Sequence, residues 1–143
     1  AAVKLSNPDC KVYGVEPKGA DSMSQSFASG HPVTLEKTNT IADSLAPPMA
    51  LPFGFALCKK YVDELVRVSD AEICAGMVVL QEEAKLAVEP AAGAAMAGAL
   101  GPLRERLSGQ QVGIIICGAN IDSATLQDLL SQGQIFIESC TPY

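Results

Sequence analysis

The run VGIIICGANID, Val112 to Asp122, puts a thiol at a place suited to chemistry. Its apolar, β-branched body reads as a strand, Val112 to Cys117, buried on both faces, and it stops abruptly on Cys117, Gly118, Ala119 and Asn120. Ligands in an open α/β sheet sit at the carboxyl ends of the strands, so small residues at such an end predict that something approaches closely. A thiol there can donate or accept a hydrogen bond. The plainer reading of Cys117 is a small buried residue that ends a strand.

Other side chains with chemical potential are scattered. Glu89, in KLAVEP, is a carboxylate between an apolar helix and a proline, placed to end a helix or to pair with a basic residue outside these residues. Ser44, in TIADS, suits a local turn beside Asp43. Glu16, in GVEP, stands at the end of a short strand, and His31 beside Pro32 reads as a surface loop residue with no role. Five cysteines, at 10, 58, 74, 117 and 140, form no CxxC pair and have no histidine at metal spacing. They are expected to be reduced thiols of a cytoplasmic protein.

The elements that must position these groups follow from pattern. Ala1 to Leu5 read as a helix end stopped by Ser6-Asn7-Pro8, and CKVYGV as a strand that exits at Glu16-Pro17. A brief helix is expected over 20–28. Pro47, Pro48 and Pro52 make the 40–52 region a shaped loop, before a helix from Phe53 to Tyr61. Leu65 to Val68 reads as a strand, and Ser69 three residues before Glu72 is the capping-box spacing. The helix it opens is expected to run from Asp70 to about Ala87, with Ile73, Met77, Leu80 and Ala84 on one face. AAGAAMAGALGPL, rich in Ala and Gly, predicts a helix buried on two sides by close approach. A last amphipathic helix is expected over Ser123 to Leu130, and the tail QIFIESCTPY as a short edge strand. Alternating strands and helices with two-sided apolar runs argue for an α/β layered, mostly parallel sheet flanked by helices.

Bulk properties bound the rest. A chain of 143 residues suits one domain. With 48% hydrophobic and 18% charged residues it is not expected to be disordered, and no apolar run approaches membrane-spanning length. Net charge is −6 with basic residues dispersed, which argues against a nucleic-acid partner.

Five ordered blocks, VYGVEPKGADSM, TIADSLA, VDELVRVSDAEI, KLAVEPAAGAAMAGAL and IIICGANID, together resemble the pyridoxal-phosphate dehydratases that act on threonine and serine, including the serine racemases, which are fold-type-II enzymes similar to the tryptophan synthase β subunit. The resemblance implies that residues 1–143 are the carboxyl-terminal part of the large, cofactor-binding domain. The family's Schiff-base lysine lies in a Ser-Phe-Lys type motif and its phosphate loop is a Gly-rich run. Neither occurs here: the lysines stand at 4, 11, 18, 37, 59, 60 and 85, none in that context. The catalytic lysine is therefore absent from this chain, and the piece alone is expected to be inactive, its partner being the amino-terminal part of the same enzyme.

What the resemblance implies for the site is carried by few residues. Cys117 takes the position that hydrogen-bonds the pyridine nitrogen, with Gly118 and Ala119 small because ring and backbone pack closely. Ser44 stands where the family usually has Gly, against a face of the ring, a departure that narrows the pocket. Glu89 lies close to the cofactor pocket. Glu16, the carbonyl of Ala20 and the side chain two residues on form a divalent-cation (Mg²⁺ or Ca²⁺) site in racemase-like members; here the last ligand is Ser22, a neutral group that weakens the site. The implied cofactor is pyridoxal 5′-phosphate, the implied substrate a small amino acid, and the implied assembly a homo-oligomer. The activity this points to is dehydration and deamination of L-threonine or L-serine to a 2-oxo acid and ammonia. Its alternatives are an amino-acid racemase of the same family and a non-catalytic α/β binding or regulatory module.

Overall fold

The computed structural model describes residues 1–140. In chain order it has α1 (Ala2–Ser6), β1 (Tyr13–Pro17), α2 (Ser22–Ser29), a 3₁₀ turn (Asp43–Leu45), α3 (Pro52–Tyr61), β2 (Glu64–Val68), α4 (Asp70–Ala84), α5 (Pro90–Leu100), α6 (Arg104–Leu107) and α7 (Ser123–Cys140). β1 and β2 pair in parallel, with Tyr13 opposite Glu64, Val15 opposite Val66 and Pro17 opposite Val68. A parallel pair needs a crossover, and α2, the proline-rich loop and α3 supply it.

α4 begins where the sequence places it. The Ser69 hydroxyl accepts the Glu72 N–H, and the Glu72 carboxylate accepts the Ser69 N–H at 2.6 Å, a complete capping box. The helix ends at Ala84, short of the expected Ala87, because Lys85 turns left-handed with φ 58°. Ile73, Met77 and Leu80 are buried as expected; Ala84 is exposed.

α5 crosses α4 at very short range. A Cβ on Gly76 would strike the Gly93 carbonyl, and one on Gly93 would strike Met77 and the Ile73 carbonyl. The Ala-Gly sequence of α5 exists for this approach, and Ala91, Ala92, Gly93, Ala94, Ala97 and Gly98 are all buried. α7 lies on the other flank of α4, with Gly133 against the Cys74 carbonyl. Two apolar clusters result. Cys74, Met77, Leu80, Val88, Ala92 and Leu129 form one, Ala42, Val68, Ile73, Ala94 and Ala97 the other, and Ile41 packs against both.

Two expected strands do not form among the described residues. Val112 to Cys117 has no regular secondary structure, and it is not buried: Ile115 is 80% exposed. A strand must take its hydrogen bonds from a neighbour, and no described residues lie beside this segment as a ladder partner. The tail is not an edge strand either. Gln134 to Cys140 continues α7, because Leu126, Leu129, Leu130 and Gly133 set a 3–4 spacing that the later residues extend, and a helix satisfies its backbone within itself. Thr141 to Tyr143, the rest of that expected strand, lie outside the described residues.

Candidate active site

Two of the site residues, Glu89 and Gly118, meet at the start of α5. Glu89 is the N-cap in extended conformation, and Pro90 follows at a position where a missing N–H costs nothing. The Glu89 N–H donates to the Gly118 carbonyl at 3.2 Å, so the end of the 112–118 segment is bound to the beginning of α5. A Cβ on Gly118 would strike the Glu89 carboxylate. Those atoms are the far end of a flexible side chain, so a larger residue at 118 would push the carboxylate aside. Cys117, next to this junction, carries an exposed, reduced thiol.

Ser44 sits in the 3₁₀ turn, which packs against α5. Its N–H donates to Asp43 Oδ1 at 2.7 Å, the local turn that a Ser beside an Asp suits. The Ser44 hydroxyl is exposed and makes no hydrogen bond among the described residues.

Sequence reasoning missed the group that anchors this loop. Asp70, the first residue of α4, accepts the Thr40 hydroxyl at 2.6 Å and the Ile41 N–H at 3.1 Å. The Thr40 hydroxyl accepts the Ala42 N–H at 3.2 Å in turn. Thr40 and Asp70 are 30 positions apart, and the signal available was only an acid in the first turn of a capped helix facing a loop that begins with threonine.

Glu16, Ala20 and Ser22 lie together where β1 passes into α2, apart from the α5 junction. Both Glu16 oxygens are engaged: one accepts the Met23 N–H at 2.9 Å, the other the Ser24 N–H at 2.7 Å and its hydroxyl at 2.6 Å. Glu16 is thereby a cap on the first turn of α2. The Ser22 hydroxyl, buried, donates to the Pro47 carbonyl at 3.4 Å. Asp21 turns away to Arg67 at 2.9 Å and Gln25 at 2.8 Å. Among the described residues no group of three or more His, Cys, Asp or Glu is placed to hold a metal ion.

Residues 1–118 match the family described as pyridoxal-phosphate dependent enzyme. The chain belongs to the pyridoxal-phosphate dependent enzymes. It is 46% identical to phenylserine dehydratase of Ralstonia pickettii over 132 residues, which cover 92% of this chain and 40% of that protein. Among solved structures, maize serine racemase superimposes with a TM-score of 0.80 at 35% identity, covering 92% of this chain and 42% of that one. Threonine deaminase isoform 2 of Solanum lycopersicum does so with a TM-score of 0.84 at 31% identity, over 93% and 37%. The chain spans about 40% of the length of the curated relatives it matches.

The residues at the α5 junction fit part of what pyridoxal phosphate requires. Cys117 and Ser44 offer exposed neutral groups that can donate or accept, as a pyridine nitrogen and a ring hydroxyl demand, and Gly118 and Ala119 add little bulk. Six of the seven lysines, all but Lys37, are engaged elsewhere. Lys4 and Lys11 pair with Asp63 and Lys18 with Glu72, Lys59 and Lys60 lie over Phe27 and Tyr61, and Lys85 donates to the Glu82 carbonyl. No lysine of this chain stands in the family's Ser-Phe-Lys context.

Proposed function

We propose that the polypeptide containing this chain is a pyridoxal-phosphate-dependent dehydratase that eliminates water from a 3-hydroxy amino acid and releases a 2-oxo acid and ammonia. L-threonine and L-serine are its expected substrates, and the 46% identity to phenylserine dehydratase adds the aryl-substituted 3-hydroxy amino acids. Residues 1–143 act here as the carboxyl-terminal part of the large domain, with the lysine and the phosphate loop coming from the rest of the polypeptide. The observation that carries the reading is the bond between the Glu89 N–H and the Gly118 carbonyl, which holds an exposed thiol at the mouth of α5.

Pyridoxal phosphate, when bound, supplies an electron sink for negative charge on the substrate α-carbon. This chain's own contribution is to hold and to orient. Cys117 would hold the pyridine nitrogen through a neutral group, which brings no charge to favour its protonated form. Gly118 keeps the approach open while its carbonyl fixes it to α5. Ser44 adds a hydroxyl on the 3₁₀ turn, able to bond the ring or a substrate oxygen.

A second reading is amino-acid racemisation, favoured by the likeness to maize serine racemase. The two are separated by incubating the full-length enzyme with L-threonine, L-serine and phenylserine and measuring 2-oxo acid and product chirality together. Abundant 2-oxo acid supports the dehydratase; inversion without 2-oxo acid supports the racemase; neither product, with no cofactor absorbance, leaves a binding module. In the same enzyme Cys117→Ser should retain cofactor and most activity, whereas Cys117→Asp should lower 2-oxo acid production at least about tenfold by favouring the protonated ring. Asp and Ser variants that both match wild type would reduce Cys117 to a space-filling residue.

A further inference from the structure

The loop that carries Ser44 is held from two sides. On its apolar side Ala42 is fully buried and Ile41 packs against both core clusters. On its polar side one carboxylate holds it: Asp70 takes the Thr40 hydroxyl on one oxygen and the Ile41 N–H on the other, and Thr40 passes a further bond to Ala42. An ionised acceptor makes shorter and stronger bonds than a neutral one, and the N-terminus of α4 favours that charge. Ser44 follows Ala42 by two residues, with the 3₁₀ turn packed on α5.

We propose that Asp70 is a positioning residue for the cofactor site, setting the pose in which the 40–45 loop presents Ser44. The proposal rests on the reading above, in which this loop borders pyridoxal phosphate. Without the carboxylate the loop keeps its apolar anchor but loses the fixed direction of its backbone at Ile41, and its exposed end samples more poses. Binding a ring to such a loop then requires ordering it first, which weakens affinity.

The test uses the full-length enzyme, stripped of cofactor and titrated with pyridoxal phosphate. Two variants release different parts of the tether: Asp70→Asn keeps one acceptor oxygen and loses the other, and Thr40→Val removes only a hydroxyl, outside α4. Each should raise the cofactor dissociation constant about tenfold, diminish the visible circular dichroism of the bound cofactor, and speed amide exchange at Ile41. Thr40→Ser should stay within about twofold of wild type, and the double variant should fall short of the product of the two single effects, because the two bonds share one carboxylate. Thr40→Val keeps the test decisive if Asp70→Asn does not fold. Faster Ile41 exchange with unchanged affinity and dichroism would overturn the proposal alone, leaving Asp70 a structural anchor. A wild-type enzyme that binds no pyridoxal phosphate would overturn the functional reading, and this one with it.

Discussion

The seam between α4 and α5 and the segment from Val112 to Cys117 draw on similar apolar chemistry and meet opposite fates. The seam buries almost everything it has, Ile73 and Met77 completely. The segment exposes Val112, Ile115 and Ile116. The difference lies in where each backbone finds its partners. A helix closes its own hydrogen bonds and has only to find a surface, which glycine and alanine let it approach; an extended chain owns nothing until a neighbour pairs with it.

The sharpest measurement of that contrast is thiol labelling. Cys74 is buried, chiefly by that burial its thiol is pushed up to about 11, and at pH 8 about one molecule in a thousand carries the reactive thiolate. Cys117 is exposed. Mapped labelling should modify Cys117 at least about a hundredfold faster than Cys74. Comparable rates would mean that the α4–α7 flank opens freely.

Next in size is the close crossing itself. Gly93→Val puts a branched side chain against the Met77 side chain and the Ile73 carbonyl, and should lower unfolding free energy by at least about 3 kcal/mol in a denaturant titration. A loss under about 1 kcal/mol would show that the helices separate easily.

A smaller effect is expected where the exposed segment hands over to α7. Asp122 accepts the Ala124 and Thr125 N–H groups at 3.0 Å each and the Thr125 hydroxyl at 2.6 Å. The Thr125 hydroxyl and then its N–H hold the carboxyl below its ordinary value. A carboxyl lowered in the folded state stabilises fully above its unfolded value, about 4, and loses that contribution as pH falls through the folded one. Asp122→Asn should therefore flatten the acid side of the melting curve below about pH 4 and leave it unchanged in slope near pH 7. An unaltered acid limb would show that the bonds to Thr125 do not persist in solution.

The smallest effect belongs to Gly113, within the exposed segment and with nothing near the place a Cβ would occupy. Gly113→Ala should change stability by no more than about 0.5 kcal/mol. A larger loss would reveal that this segment is packed in solution.

What the sequence made legible followed the same division. α4, its capping box and the small-residue face of α5 were readable because each is decided by neighbours three or four positions away. The Val112 run was misread as a buried strand because its composition says what it would do beside a partner and nothing about whether one is present. QIFIES misled in the other direction: its β-branched residues suggested a strand, while the spacing begun at Leu126 carries the helix on to Cys140. At the candidate site, Cys117, Gly118 and Glu89 were singled out through a family resemblance, and the structure adds a bond between Glu89 and Gly118. The Asp70 tether was illegible because nothing local links a helix's first turn to a threonine 30 residues earlier.

α4 serves several neighbours at once. Asp70 faces the Thr40 loop, Glu72 reaches Lys18, Gly76 meets α5, and Cys74 and Ala75 meet α7. Each task belongs to one angular sector of a single cylinder, so the helix behaves like a keyed shaft whose teeth must stay in phase. One residue inserted between Asp70 and Gly76 would rotate everything beyond it by about 100°, turning the α5 notch toward solvent while the loop anchor stayed in place. Exposed side chains of α4, such as Glu82 and Glu83, can be exchanged at modest cost; its length between those two positions cannot be changed.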